Sequence, residues 1–580
     1  MILQFDPIRK LLAQTICDVI GGSVSDHCPG FVEPPNLDLG EIAFGCFQAA
    51  KILKSNPAQV AIKLQSELLK KSDIFSNVQN VGPYINLKLA PGFYQKHLVQ
   101  GIFNQEAFKG PWVSQAPKTM IEFSQPNTHK ELHVGHMRNA CLGDSLVKLH
   151  KYCGYEIISS TFPGDVGTHV AKCLWYLKFR NTEAVPTDNK GEWLGRIYSK
   201  ANLQLEDEEK TEKNDLNQKQ LAEILKQIEA HRGEFFELWR ETRQWSVDLM
   251  NHVYAWIDVQ FDKWYWESDV DAVSIQYVKK LYQDKKLIES QGAIGMDLSD
   301  QNLGFCMLLK SNGTGLYATK DLELARRKFE DFNIQKNIYV VDMRQALHFK
   351  QVFATLDKLG FQQAKDCFHL QYNFVELPDG AMSSRKGNIV PLMKLVSTMQ
   401  DHIKSTYLAK FQNEWTAQET QLIAKQVAMG AIKYGMLKID PNKKIVFDMN
   451  EWIKIDGDSG PFIQYSVARI KSLKRKISTD QSYRQSDLSS LVHKTEKNLL
   501  GHLFFFNSTV VLATTQYRPS VLCTYLFQLA QKFNAFYHDC PIATAESPQL
   551  KSARLALADA VGQVLEKGLS LLGIPSPEKM

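Results

Sequence analysis

His133 and His136 stand three residues apart in PNTHKELHVGHMRN (126–139), with only Val134 and Gly135 between them. Residues at this spacing share one face of a helix, so both imidazoles can donate hydrogen bonds to the same phosphate. The run follows TMIEFS (119–124), which reads as a buried strand, and it opens a helical pattern from about 134 to 153. A helix start beyond the carboxyl end of a parallel strand favours anions, which suits the charge that develops in an in-line displacement at phosphorus. Gly135 removes a side chain where a flat ring or a ribose needs close approach to the backbone.

A second loop, PDGAMSSRKGN (378–388), follows the strand-like 368–377. Its Ser383, Ser384, Arg385 and Lys386 supply hydroxyl, backbone and cationic donors suited to a polyphosphate. Alone, an HxxH pair reads as a helix cap and this loop as an exposed turn. Two phosphate-directed elements on separate strands of one sheet point to a nucleotide site.

The elements that must position these groups follow from the pattern. Strand-like runs at 119–124, 155–162, 304–310, 337–342 and 368–377 alternate with helical ones, which predicts βαβ units and a mostly parallel sheet across 113–395. A charged, helix-patterned stretch near 180–260 reads as an insertion on that sheet. Residues 1–112 read as a small α+β domain, with an amphipathic first helix and a strand VGPYINLKL (81–89). After about 395 strand signals fade and long amphipathic helices such as 521–537 and 553–572 predict an all-α bundle over 396–580.

Beyond the spacing, the chain resembles class I aminoacyl-tRNA synthetases. HVGH (133–136) is similar to their HIGH signature and AMSSRKGN (381–388) to their KMSKS loop. The finer resemblance is to the arginyl-tRNA synthetase family, in FSQPNTHKELHVGHMRNACLGDSL (123–146), FPGDVGTH (162–169), YATKD (317–321), VDMRQALHFKQVF (341–353), GDSGPFIQYSVARI (457–470) and the final LGIPSPEKM, all in the family's order. That resemblance implies a Rossmann-like catalytic domain, ATP and L-arginine as substrates with Mg²⁺ held mainly by the ATP phosphates, and tRNA(Arg) as acceptor. It implies that His133, Gly135, His136, Met382 and Ser383 meet ATP, and that Ser383, Ser384, Arg385 and Lys386 close over the leaving pyrophosphate. Ala381 and Ser384 depart from the two lysines of the loop signature, and Lys130 stands where the family places a compensating lysine. Asn127, Glu267, Tyr317, Asp321 and Gln345 match positions that bind arginine, whose planar fork of donors needs acceptors around it. Asp165 and His169 are expected near the site, whereas His129 matches no position of known role and is expected at the surface.

The resemblance also implies that the C-terminal bundle binds the anticodon stem-loop and that the N-terminal domain reaches the D-loop corner. RIKSLKRK (469–476) offers Arg469, Lys471, Lys474 and Arg475 to the RNA backbone; Tyr465, Tyr517, Phe536 and Tyr537 are candidate stacking rings. In the N-terminal domain Tyr84 and Asn86 form an expected exposed pair at strand spacing.

Bulk properties agree with this reading without requiring it. A chain of 580 residues suggests two to four domains, and a net charge of +5 permits an anionic partner. Ten cysteines contain no CxxC pair and no Cys/His cluster, so neither zinc nor a disulfide framework is expected. The N-terminus lacks the pattern of a signal peptide and no apolar run approaches about 20 residues, so a cytoplasmic location without a membrane span is expected; a monomer is the expected state, though no sequence pattern sets it. Two other readings stay open: a nucleotidylyltransferase that shares HxGH chemistry without tRNA, and a catalytically altered paralogue acting as an RNA-binding or interaction protein.

Overall fold

The computed structural model describes residues 2–3, 6–35, 39–376, 391–477 and 481–580. The loop bearing Ala381, Met382, Ser383, Ser384, Arg385 and Lys386 lies outside the described residues.

Five strands make the central sheet: β1 (Thr119–Glu122), β2 (Ile157–Thr161), β3 (Lys263–Trp264), β4 (Lys336–Asp342) and β5 (Cys367–Tyr372). Their order is β3-β2-β1-β4-β5 and every neighbouring pair is parallel. Strand order therefore reverses between β1 and β4, which opens a crevice beyond their carboxyl ends. Helix α1 (Val134–Cys153) makes the crossover from β1 to β2 and stops at Gly154, whose φ of 99° is left-handed. Gly143 lets α1 lie directly on the chain leaving β1: a Cβ there would fall 2.0 Å from Phe123 Cγ. Most of α1 is buried, Asp144 included.

Between β2 and β3 four helices, α2 (Thr168–Phe179), α3 (Lys190–Glu208), α4 (Asn214–Glu229) and α5 (Glu234–Ile257), build out from the sheet. Val170, Trp175, Ile224, Ile228 and Phe235 give them a small core of their own. Helices α6 (Glu267–Gln283), α7 (Tyr317–Phe332) and α8 (Ala346–Lys358) complete the layer around β3, β4 and β5.

Two strand expectations are corrected. The run 304–310 does not join the parallel sheet; Phe305–Leu309 pairs antiparallel with Ala293–Asp297, which pairs antiparallel with Ile288–Ser290. The link 298–304 between Ala293–Asp297 and Phe305–Leu309 is shorter than a parallel crossover needs, and Gln291–Gly292, with φ of 53° and 78°, closes the hairpin before Ala293. The run 368–377 is likewise two pieces: β5 ends at Tyr372, and Val375–Glu376 pairs in parallel with Ile445–Val446.

In the N-terminal part, Phe31–Val32, Ile42–Gly45, Tyr84–Leu89 and Phe75–Val81 form a four-stranded antiparallel sheet in that order. The expected strand 81–89 turns at Gly82, whose φ of 59° makes a two-residue hairpin link, so Val81 belongs to the preceding strand. The C-terminal part is helical: α9 (Leu392–Ile403), α10 (Ala417–Leu437), α11 (Gly460–Ile477), α12 (Lys494–Leu503), α13 (Phe506–Thr515), α14 (Pro519–Asp539) and α15 (Pro548–Leu571). One apolar cluster runs from Leu12 and Ile85 through Leu146 on α1 to Val427, Leu526 and Leu565, so the three regions share a core. Asp144 on α1 strengthens the join with a buried ion pair to Lys433 on α10, 3.0 Å apart.

Candidate active site

The two histidines cap α1 reciprocally. His133 is the N-cap residue; its Nδ1 accepts from the Gly135 N–H at 3.1 Å, and His136 Nδ1 accepts from the His133 N–H at 3.2 Å. A nitrogen that accepts carries no proton, so in each neutral ring the proton sits on Nε2. Burial pushes His133 down to about 4, and burial together with the charges of His133 and Lys130 pushes His136 well below the ordinary histidine value. At neutral pH the start of α1 therefore presents two neutral rings, 4.0 Å apart between centroids, each with one Nε2–H to donate.

Both stems of the serine-rich loop come to this point. Val375–Glu376 precedes it; on the far side His133 bridges Pro391 and the Leu392 N–H donates to Leu132 O at 3.0 Å. Buried Arg138 ties these parts together by donating to Phe374 O, Asp440 O and Pro441 O. Lys130 lies with its Nζ 5.3 Å from the Tyr198 ring on α3, and its charge reaches His136 and His169. Helix α3 backs this segment closely, because a Cβ on Gly195 would fall 2.6 Å from the Glu131 nitrogen.

A second group gathers around Gly164. Asn127 and Glu267 meet across Gly164, where a Cβ would lie 2.3 Å from Asn127 Oδ1 and 3.0 Å from Glu267 Oε2. Lys320 on α7 reaches Glu267 at 2.5 Å and Asp271 at 3.1 Å. Burial works against the Lys320 charge, but the two carboxylates outweigh it and keep the amine protonated. Tyr317 and Asp321 flank Lys320 at the start of α7; Tyr317 is 72% exposed, and Asp321 accepts from His348 Nε2 at 2.5 Å. Gln345, exposed, caps α8 three residues before His348. Sequence reasoning missed Lys320 and His348. The signal available for His348 was its i,i+3 spacing from Gln345 on one helix.

Asp165 is structural: it accepts from Arg243 Nε and from the Ser268 N–H and Oγ–H, pinning α5 to the start of α6. His169 Nε2 is buried with no hydrogen-bond partner among the described residues, within electrostatic reach of Lys130 and Lys320. His129 corrects its surface expectation, since it is fully buried. Its Nε2–H donates to Thr242 Oγ1 at 2.8 Å and its N–H to Ser246 Oγ at 2.9 Å, both on α5. Burial lowers His129 to about 3 and His150, on α1, to about 4. Both lie below the unfolded value of about 6.5, so the unfolded chain takes up these protons first and stability falls as pH drops below that value. By pH 5 each histidine costs about 2 kcal/mol relative to pH 7. Urea unfolding at the two pH values measures this, and His129→Gln removes its share of the loss.

The RNA-directed candidates fare unevenly. Tyr84 is 39% exposed and stands edge-on to exposed Phe47, whereas Asn86, only 3% exposed, is buried and does not form the expected surface pair. Lys471 is held by Glu566 and Glu578 and Lys474 by Asp559, so neither is an uncommitted cation. Arg475 is about half exposed and lies by Glu578, and Arg469 donates to Asn534 while stacking over Tyr465 and Tyr537. Phe536 is core and Tyr517 packs on His150 and Phe368; Tyr537 is partly exposed.

Three family models match the chain: tRNA synthetases class I (R), catalytic domain, over residues 98–449; DALR anticodon binding domain over 463–580; and Arginyl tRNA synthetase N terminal domain over 6–89. The arginine–tRNA ligase of Bdellovibrio bacteriovorus is 55% identical over 585 residues, covering all of both chains. The chain belongs to the arginine–tRNA ligase family. The arginine–tRNA ligase of Treponema denticola is 32% identical over 99% of this chain and all of its own. Among solved structures, the arginyl-tRNA synthetase of Thermus thermophilus superposes with a TM-score of 0.80 at 26% identity, over 99% of this chain and 100% of the other. Membership in the arginine–tRNA ligase family accounts for the joint presence of the capped histidine pair, the catalytic sheet and the helical C-terminal part. Among the described residues no helix is long and apolar enough to cross a membrane, and no group of three or more His, Cys, Asp or Glu side chains is placed to hold a metal ion.

Proposed function

We infer that this chain is an arginine–tRNA ligase: it activates L-arginine with ATP to arginyl-adenylate and pyrophosphate, then transfers arginine to the 3′-terminal adenosine of tRNA(Arg). The observation that carries the chemistry is the reciprocal cap, which aims two neutral Nε2–H donors from one helix start. In the first step a carboxylate oxygen of arginine attacks the α-phosphorus of ATP as the bond to pyrophosphate breaks. His133 and His136 donate to the phosphate oxygens as their charge redistributes, Gly135 admits the nucleotide, and Lys130 supplies positive charge beside them. Ser383, Ser384, Arg385 and Lys386, with Met382 against the nucleotide, close over the pyrophosphate. Mg²⁺ bound with ATP would supply charge compensation at its phosphates.

Asn127 and Gln345 receive the amino acid end of arginine, and Glu267, Tyr317 and Asp321 receive its guanidinium. Such a pocket rejects lysine, whose single ammonium leaves acceptors unpaired. Residues 1–112 and 396–580 hold the tRNA, through Tyr84 in the first and Arg469 and Arg475 in the second, around a catalytic region of 113–395. The enzyme works as a cytoplasmic monomer without zinc. Nothing favours a repurposed paralogue, given intact His133, His136, Lys130, Tyr317 and Asp321.

ATP–pyrophosphate exchange with arginine, run with and without tRNA and followed by tRNA charging, tests the assignment. Arginine-dependent exchange and charging are the expected results. Exchange that ignores arginine under both conditions rejects it, and exchange without any charging points to the paralogue.

A further inference from the structure

Asp321 is not a solitary carboxylate. His348, on the first turn of α8, brings its Nε2 to 2.5 Å from Asp321 Oδ2, and the two side chains are only 22% and 15% exposed. The other titratable groups facing this ring are accounted for. His369 on β5 donates from Nε2 to Val341 O at 3.0 Å, and burial holds it below its ordinary pKa. Tyr339 on β4 is kept neutral by burial, which pushes its phenol well above 10. Asp342, at the end of β4, is engaged by Arg344. Asp321 is thus the one carboxylate in contact with His348 among the described residues.

The charge balance of the pocket then depends on that imidazole. Glu267, Asp271 and Asp321 carry three negative charges against one on Lys320, leaving two when His348 is neutral and one when it is protonated. A guanidinium directed at Asp321 and an imidazolium on the same carboxylate compete for one charge.

We propose that His348 is a positioning residue for Asp321, and that its extra proton leaves for solvent as arginine binds. The inference rests on the assignment of Asp321 to the guanidinium. Neutral His348 still donates from Nε2–H and so keeps the carboxylate oriented; the imidazolium form donates equally well but spends the charge that arginine needs. Balanced, protonated enzyme plus arginine gives the arginine complex with neutral His348 plus one free proton. Burial opposes the His348 charge, but the Asp321 hydrogen bond and charge outweigh it and raise its pKa above 6.5 in the arginine-free chain. A second cation on Asp321 withdraws that support. By linkage, the arginine Kd rises as pH falls through the raised His348 pKa, by about tenfold per pH unit below it.

Calorimetric titration of the full chain with arginine, from pH 6 to 8.5 in paired buffers of different ionisation enthalpy, tests this. Wild type is expected to release about one proton per arginine at the acid end and none at the alkaline end. His348→Asn, which keeps an N–H for Asp321 but cannot titrate, is expected to match wild-type affinity at pH 8.5 and to lose both the proton release and the pH slope. His348→Ala, which loses the orienting N–H as well, weakens binding at pH 8.5 and also lacks the pH slope. A wild-type Kd that is flat with pH, or a slope that survives in His348→Asn, overturns the proposal. Undiminished arginine affinity in Asp321→Asn overturns instead the assignment on which it rests.

Discussion

Replacing His136 by alanine lowers the turnover of arginine-dependent ATP–pyrophosphate exchange by about 10²–10³-fold and leaves the arginine KM unchanged. The magnitude is that of deleting one preorganised donor to charge developing in a transition state, about 3–4 kcal/mol. In the proposed mechanism the effect falls on turnover, because the Nε2–H is assigned to phosphate and not to the amino acid. The variant also loses the bond that His136 Nδ1 accepts from the His133 N–H, a capping contribution of about 1 kcal/mol that appears in stability and not in the rate of folded enzyme. Exchange kinetics and urea unfolding on the same preparation separate the two. An unchanged turnover removes His136 from the chemistry; a raised arginine KM with unchanged turnover moves it to the arginine pocket.

The largest stability effect is expected at Asp144. Its carboxylate is paired with Lys148 and Lys433, and Lys433 is fully buried. Asp144→Ala leaves an unpaired ammonium out of water and costs about 3–5 kcal/mol. Coupling that change with Lys433→Met restores much of the loss, because an apolar side chain asks for no partner. Unfolding midpoints and slopes in urea report both results. A loss below about 1 kcal/mol in the single variant, the size typical of exposed pairs, shows that water reaches the pair.

Legibility in the sequence followed the range of the interactions. The spacing of His133 and His136, the strand before them and the helix after them are local patterns, and they appear in the structure where they were read. The three-stranded antiparallel sheet at 288–309 was missed because Phe305–Leu309 looks, residue by residue, like any buried strand; only the short link 298–304 back to Ala293–Asp297 excludes a crossover. His129 was misplaced because its partners Thr242 and Ser246 arrive from a helix more than 110 residues downstream. Asn86 was misplaced because alternation puts it on the face of exposed Tyr84, and burial of that face changes along the strand. Lys471 and Lys474 look like RNA-directed charge until the chain end and α15 bring Glu566, Glu578 and Asp559 against them. In the candidate site, Asn127, Glu267, Tyr317, Asp321 and Gln345 came from a family resemblance. The ties that Lys320 and His348 make to two of them are tertiary, and only His348 had a sequence signal, its spacing from Gln345.

The ion pair on α1 also determines how the molecule can move. The helix begins with the histidine pair and, ten residues on, is bolted by Asp144 to α10. An α-helix advances about 1.5 Å per residue, so bolt and histidines are about 15 Å apart on one stiff rod. The two imidazoles therefore have no hinge of their own relative to the C-terminal helices: a rotation of that bundle carries them along or breaks a buried ion pair. Rigid-body motion at the candidate site falls to whatever lies off that rod, such as α6, α7 and α8, which carry Glu267, Asp321 and His348.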